Sequence, residues 1–150
     1  MLGLEESPES FGESSSDFVA KADCQLSDML DPHAHGDFVL GAFESQSLIG
    51  VIGFFTHALQ KMTHKGTIWG TYVDPAHRQQ GIGRALLRAA IDKVKSLPDI
   101  RQIDLTVVVD NVAAKELYLS EHFEVRGTEI AALCVNGRFC DEDFMQLQLK

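Results

Sequence analysis

The sequence predicts one domain of mixed α/β (α+β) class, a sheet flanked by helices, and three observations predict it. The first is length, since 150 residues match the common domain size of about 100–150. The second is composition: 45% hydrophobic and 23% charged residues are close to the globular norm and exclude wholesale disorder. The third is a hydrophobic period that switches between strand and helix spacing along the chain, with no internal repeat.

The elements follow in order. Residues 1–16 are rich in Ser, Glu and Gly and read as a mobile or loosely docked start. Ser14-Ser15-Ser16-Asp17 caps a helix running to about Leu30, which Asp31-Pro32 ends. Phe38–Phe43 and Leu48–Phe55, separated by the polar turn Glu44–Ser47, read as an antiparallel hairpin. A third strand, Thr67 to Val73, stops at Asp74-Pro75. Beyond Gly81 the period changes: Leu86, Ala90, Val94 and Leu97 recur at helical spacing until Pro98. Ile103, Leu105, Val107 and Val109 then alternate as a strand, and Val108 implies that both faces are covered. Asp110-Asn111 caps a second helix to about Glu121. Phe123 to Lys150 reads as two or three strands turning at Asn136-Gly137, a strong hairpin signal.

Charge and cysteines narrow the function. The 22 acidic and 13 basic residues leave a net charge of −9, which repels phosphate backbones, so nucleic acid is not an expected partner. No apolar run approaches membrane-spanning length and the acidic start lacks a basic leader, so a cytoplasmic protein without membrane contact is expected. Cys24, Cys134 and Cys140 fit neither a disulfide framework nor a zinc motif and read as thiols packed as small hydrophobes. His33-Ala-His35 shares a strand face but has no third ligand at an obvious spacing, so no metal is expected.

Chemistry concentrates in Val73-Asp-Pro-Ala-His-Arg-Gln-Gln-Gly-Ile-Gly-Arg-Ala-Leu-Leu87. A strand ends, a short loop follows, and Gly81 and Gly83 open a helix. Without Cβ atoms, these glycines let a ligand approach the amides closely. The first helical turn leaves N–H groups unpaired and adds positive potential, so a phosphate fits there, with Arg78 and Arg84 adding charge. A dinucleotide fingerprint is excluded because position 86 is Leu, and a Walker loop because no Gly-Lys-Ser/Thr follows. The alternative is a glycine-rich helix start that binds nothing.

Arg78-Gln-Gln-Gly81-Ile-Gly83 resembles the R/Q-x-x-G-x-G/A signature of the GNAT superfamily of N-acetyltransferases. Its flank Tyr72-Val73-Asp74-Pro75 and the later Asn111-Val-Ala-Ala114-Lys-Glu-Leu117-Tyr118…His122-Phe123 resemble that family as well. So do Asn136-Gly-Arg-Phe and Asp141-Glu-Asp-Phe-Met145, so that the likeness runs from Asp37 to Lys150. Two departures stand out. Only 36 residues precede Asp37, which implies a shortened N-terminus lacking the family's usual first strand. His122 stands where glycine is usual, and His is among the residue types enriched in left-handed backbone.

The resemblance implies a mixed, mostly antiparallel twisted sheet and acetyl-CoA as co-substrate. Backbone groups of Tyr72 and Val73 would pair with the pantetheine arm, and amides of Gln79, Gln80, Gly81, Ile82, Gly83, Arg84 and Ala85 would hold the pyrophosphate beside Arg78. Asn111 would meet the pantetheine, cap its helix, or both, and Ala114 is small enough to let the cofactor pass. Tyr118 would protonate the departing thiolate; the alternative is a half-buried packing tyrosine. The strand position where relatives often carry a basic carboxylate is Thr67. His57, His64 and His77 titrate in the right range but read as solvated loop residues. The implied reaction moves an acetyl group directly to a primary amine of a small molecule or peptide. A non-catalytic acetyl-CoA-binding or sensing module is the alternative, and a missing first strand leaves an edge that a homodimer would cover.

Overall fold

The computed structural model describes residues 36–149, and the expected helix ending near Leu30, the expected lack of a first strand, Cys24 and the His33/His35 pair lie outside them. Six strands form one sheet in the order β1-β2-β3-β4-β6-β5. β1 (Phe38–Glu44), β2 (Ser47–Thr56) and β3 (Lys65–Val73) pair antiparallel in sequence. β4 (Gln102–Val108) joins β3 in parallel, and β5 (Glu124–Val135) pairs antiparallel with β6 (Arg138–Gln148). Two α-helices, α1 (Ile82–Lys95) and α2 (Val112–Ser120), and one 3₁₀ turn (Pro75–His77) complete the described elements. The strands and helices expected within the described residues are present with ends moved by one or two residues, and the terminal segment forms two strands.

The described residues fall into two compact units, one up to Asp104 together with Leu147–Leu149, the other Leu105–Gln146. In the first unit α1 turns Leu86, Leu87, Ala90, Ile91 and Val94 inward. A Cβ added at Gly50 would meet Leu86 and Ile82, so that face of β2 is the one α1 covers. Phe38 and Phe54 stack there with centroids 5.3 Å apart, and Lys93 of α1 lies 4.8 Å over Phe38. Burying side chains of this size supplies about 1.5–3 kcal/mol each. The opposite face carries Trp69, whose indole lies where a Cβ at Gly53 would go. In the second unit the core holds Leu105, Val107, Val108, Tyr118, Phe123 and Met145. β4 is buried at Ile103, Asp104, Leu105, Val107 and Val108, so both of its faces are covered, as its run of apolar residues implies.

Two backbone features shape the sheet. Asn136 and Gly137 both take positive φ, 51° and 79°, the requirement of a type I′ turn, whose twist suits a two-residue hairpin. In β3, Val51 pairs with Tyr72 and Gly53 with Trp69, so two residues of β3, Gly70 and Thr71, oppose the single Ile52. This is a β-bulge with Gly70 at φ 61°, a conformation that glycine tolerates without a Cβ penalty. The parallel ladder between β3 and β4 covers three pairs, from Lys65↔Gln102 to Thr67↔Asp104. The bulge bends β3 just beyond that point.

Candidate active site

The strand-to-helix junction after β3 is built on Asp74. Its Oδ1 accepts the Ala76 N–H at 2.9 Å and meets His77 Nδ1 at 3.1 Å. The other ring nitrogen of His77 lies 3.4 Å from Glu44 Oε2 at the end of β1. The hydrogen bond from His77 holds the Asp74 carboxyl below its usual range, and the same bond raises the His77 pKa. A raised histidine pKa favours the tethered loop at low pH, and that contribution is lost as pH rises through the raised value. His77 is therefore a loop anchor, where the sequence suggested a solvated histidine.

Gln79 turns the chain with φ 61°, and Gly81 takes φ 81° as the residue before α1. A Cβ on Gly81 would have nothing within 4 Å among the described residues, so these leave the space above this backbone open. The amides of Ile82 and Gly83 head the helix and have no acceptor within it. Ala85 differs: its N–H donates to the Gly81 carbonyl at 2.9 Å and is committed to the helix. Arg78 folds back over the end of β3, with Nε donating to the Val73 carbonyl at 2.9 Å and the guanidinium 5.8 Å over the Tyr72 ring. The junction therefore gathers Tyr72, Val73, Arg78, Gln79, Gln80, Gly81, Ile82, Gly83, Arg84 and Ala85 in one unit. A helix N-terminus with a glycine cap and a nearby guanidinium has the chemistry of a phosphate site.

The second unit holds Asn111, Ala114 and Tyr118 on and before α2. Asn111 Oδ1 accepts the Ala114 N–H at 3.2 Å, so the side chain caps the helix. Tyr118 is 6% exposed, and its ring lies 5.8 Å from that of Phe123. The end of α2 fixes it. Phe123 N–H donates to the Tyr118 carbonyl and His122 N–H to the Leu119 carbonyl, both at 3.1 Å, with His122 at φ 69°. These bonds and the Tyr118–Phe123 contact form a Schellman motif, with His122 in the place glycine usually takes.

A buried carboxylate anchors the same helix. Asp143 on β6 is 3% exposed. It accepts hydrogen bonds from Lys115 of α2 and, at 2.6 Å, from Thr128 Oγ1 of β5. The Lys115 bond and then the Thr128 bond hold its carboxyl below the usual range, against the opposing effect of burial. Sequence reading gave Lys115, Thr128 and Asp143 no role. They lie far apart in the chain, and only a lysine three residues from Tyr118 hinted at the link.

Comparison with known proteins bears on this arrangement. The model of the acetyltransferase (GNAT) family matches residues 4–123. The chain is 30% identical over 97 residues to an L-amino acid N-acetyltransferase of Escherichia coli strain K12, covering 63% of this chain and 60% of that protein. It therefore spans under two thirds of that relative's length. It is 24% identical over 117 residues to a spermidine N(1)-acetyltransferase of Vibrio cholerae, covering 78% of this chain and 68% of that one. Among solved structures, a Salmonella typhimurium protein described as an acetyltransferase with its cofactor acetyl-CoA superposes with a TM-score of 0.82. It is 25% identical over 94% of this chain and 79% of that one. A GNAT-family acetyltransferase of Streptococcus pneumoniae gives a TM-score of 0.83 at 19% identity, over 95% of this chain and 84% of that one, a likeness of fold. With four fifths of its length matched by the family model, and with the six-stranded sheet and glycine-capped helix in place, the chain belongs to the acetyltransferase (GNAT) family, the acyltransferases that use acetyl-CoA.

Proposed function

We propose that this protein is an acetyl-CoA-dependent N-acetyltransferase acting on a primary amine of a small molecule. The observation that carries the reading is the junction at Gly81, where a left-handed glycine at the head of α1 has nothing within 4 Å of its Cβ position among the described residues. Among this chain's residues, the amides from Gln79 to Arg84 would hold the pyrophosphate. The edge of β3 at Tyr72 and Val73 would take the pantetheine as an added strand. Acetyl-CoA supplies an acetyl group activated as a thioester. Tyr118 would give its phenolic proton to sulfur as the C–S bond breaks, an acid contribution made in the transition state and not in the ground state. The acceptor class rests on the two curated relatives, one described as an amino-acid and one as a spermidine acetyltransferase. Expected sites in the cytoplasm and a homodimeric state belong to the same proposal.

Thiol release with acetyl-CoA and a panel of L-amino acids, polyamines, aminoglycosides and N-terminal peptides tests it. Turnover of at least one small amine is expected. On that amine Tyr118→Phe lowers kcat roughly 10–100-fold and leaves acetyl-CoA affinity and melting temperature unchanged. Silence across the panel, with acetyl-CoA still bound in calorimetry, would mark a binding or sensing module instead.

A further inference from the structure

The proposed reaction needs a proton acceptor for the amine, and the structure offers one where the end of β2 lies beside β3. His57, just past the end of β2, places Nε2 3.2 Å from Thr67 Oγ1. Its own backbone N–H reaches the Lys65 carbonyl at 3.4 Å, which continues the β2–β3 ladder and holds the residue beside Thr67. The Phe55 ring meets the imidazole edge-on at 5.5 Å and restricts its rotation. His57 and Thr67 are both half-buried.

Their position matters more than their contact. Thr67↔Asp104 is the last rung of the parallel ladder, so Thr67 stands where β3 and β4 part. Thr67 and Trp69 are two apart on β3, and Trp69 lies over Gly53 on the face away from α1. Thr67 therefore projects from the same face. From Val73, next to the Gly81 junction, back to Thr67 is six residue steps, about 20 Å at the usual rise per residue. An extended arm anchored by its phosphates at Gly81 and paired along this edge would bring its reactive end to Thr67.

We infer that Thr67 and His57 form a proton relay for the acceptor amine, Thr67 Oγ1 touching the nitrogen and His57 Nε2 receiving the proton. The inference rests on the N-acetyltransferase reading above. The acceptor arrives as an ammonium ion. One proton passes to Thr67 Oγ1 while the threonine's own hydroxyl proton passes to His57 Nε2, leaving a neutral amine and an imidazolium. The nitrogen lone pair then forms the C–N bond to the acetyl carbon. The C–S bond breaks with its electron pair on sulfur, which leaves as the thiol with the Tyr118 proton. The surplus proton on the new amide nitrogen restores the phenol, and the imidazolium discharges to solvent. The charged groups beside Thr67 on β3 and at its rung on β4 are Lys65 and Asp104, joined at 3.5 Å, and Thr106, next along that face of β4, bonds Glu142, whose carboxyl burial pushes above its usual range. Gln102 also holds Asp104 at 2.7 Å. Lys61 and His64 lie exposed in the loop that follows His57. With Asp104 engaged by Lys65 and Gln102, His57 is the nitrogen base that the structure sets against Thr67.

Two measurements test the relay. Long-range ¹⁵N–¹H spectra of the free protein should show His57 protonated on Nδ1, with an Nε2 shift that moves in Thr67→Val. An Nε2–H tautomer would overturn the relay, because His57 would then donate to Thr67. On the first amine of the panel that turns over, His57→Gln and Thr67→Val should each lower kcat about 100-fold. Acetyl-CoA affinity should stay within about twofold, since the cradle is untouched, and Thr67→Ser should restore most of the rate. The His57→Gln defect should shrink as pH rises from about 7 to 9.5, because the amine then arrives increasingly neutral. Variants that stay folded by melting temperature and turn over at the wild-type rate would sink the relay alone. A wild type that releases no thiol with any amine would sink the N-acetyltransferase reading, and the relay with it.

Discussion

At the scale of single residues, the instructive position is His122. Its φ of 69° puts a side chain into the left-handed region, which costs an ordinary residue about 1–2 kcal/mol. The position cannot relax, because the two bonds closing α2 require that geometry. His122→Gly should remove the strain and raise stability by about 1 kcal/mol, a rise in melting temperature of roughly 2–4 °C at this chain length. Scanning calorimetry reads it directly. A β-branched replacement such as His122→Val should do the reverse. Because the same motif packs Tyr118 on Phe123, the stabilised variant should keep the Tyr118 environment intact. Sequence reading found His122 as a departure from a family pattern. The φ angle that explains it came from the fold.

At the scale of elements, α1 and β3 divide the labour of the junction. α1 is positioned by its apolar stripe, and its opening turn presents backbone in place of side chains. Replacing Gly83 by a β-branched residue leaves the stripe alone but crowds the amides. Gly83→Val should weaken acetyl-CoA binding at least tenfold, about 1.4 kcal/mol. Folding should survive with stability changed by only some tenths of a kcal/mol, since Gly is itself a poor helix former and an early-helix Val is no worse. Calorimetric titration of a folded Gly83→Val protein with unchanged affinity would remove the junction from the binding site. β3 contributes its bulge at Gly70-Thr71, which turns the strand where the ladder to β4 has ended. A glycine inside a strand pattern is a bulge signal, so this feature was readable at Gly70, although the sequence reading treated Thr67–Val73 as regular. Thr71 Oγ1 is buried there with no hydrogen-bond partner among the described residues. Such an atom is a cost the bulge carries.

At the scale of the whole molecule, acid stability depends on pairing that crosses elements. The chain carries 22 acidic residues, and among the described ones Asp143 is buried and ionised by its bonds from Lys115 and Thr128. Its pKa lies below the unfolded value of about 3.9. Its contribution is therefore complete above that value and is lost as pH falls through the lower, folded one. Asp143→Asn should cost about 3 kcal/mol, the low end for breaking a buried pair, because Lys115 keeps 30% of its side chain exposed. The variant should also unfold with a weaker dependence on pH below about 4. Urea titrations at pH 7 and pH 3.5 check both. An equal loss at the two values would show that the aspartate acts by packing and not by charge.

The sequence by itself determined the elements and the chemistry that is local along the chain. The glycine-capped start of α1, the Asn111 cap and the Asn136-Gly137 turn each depend on residues within one turn of one another, so spacing suffices to find them. The family resemblance rests on the same short stretches. Only the tertiary structure decided which distant side chains meet: His57 with Thr67, His77 with Glu44, and Asp143 with Lys115 and Thr128. Each of those contacts depends on strand register or on a helix seated on a sheet. A shift of one residue in register would turn a side chain to the opposite face. Periodicity marks which face a residue shares with its neighbours in sequence. The partner across the ladder is set by the fold.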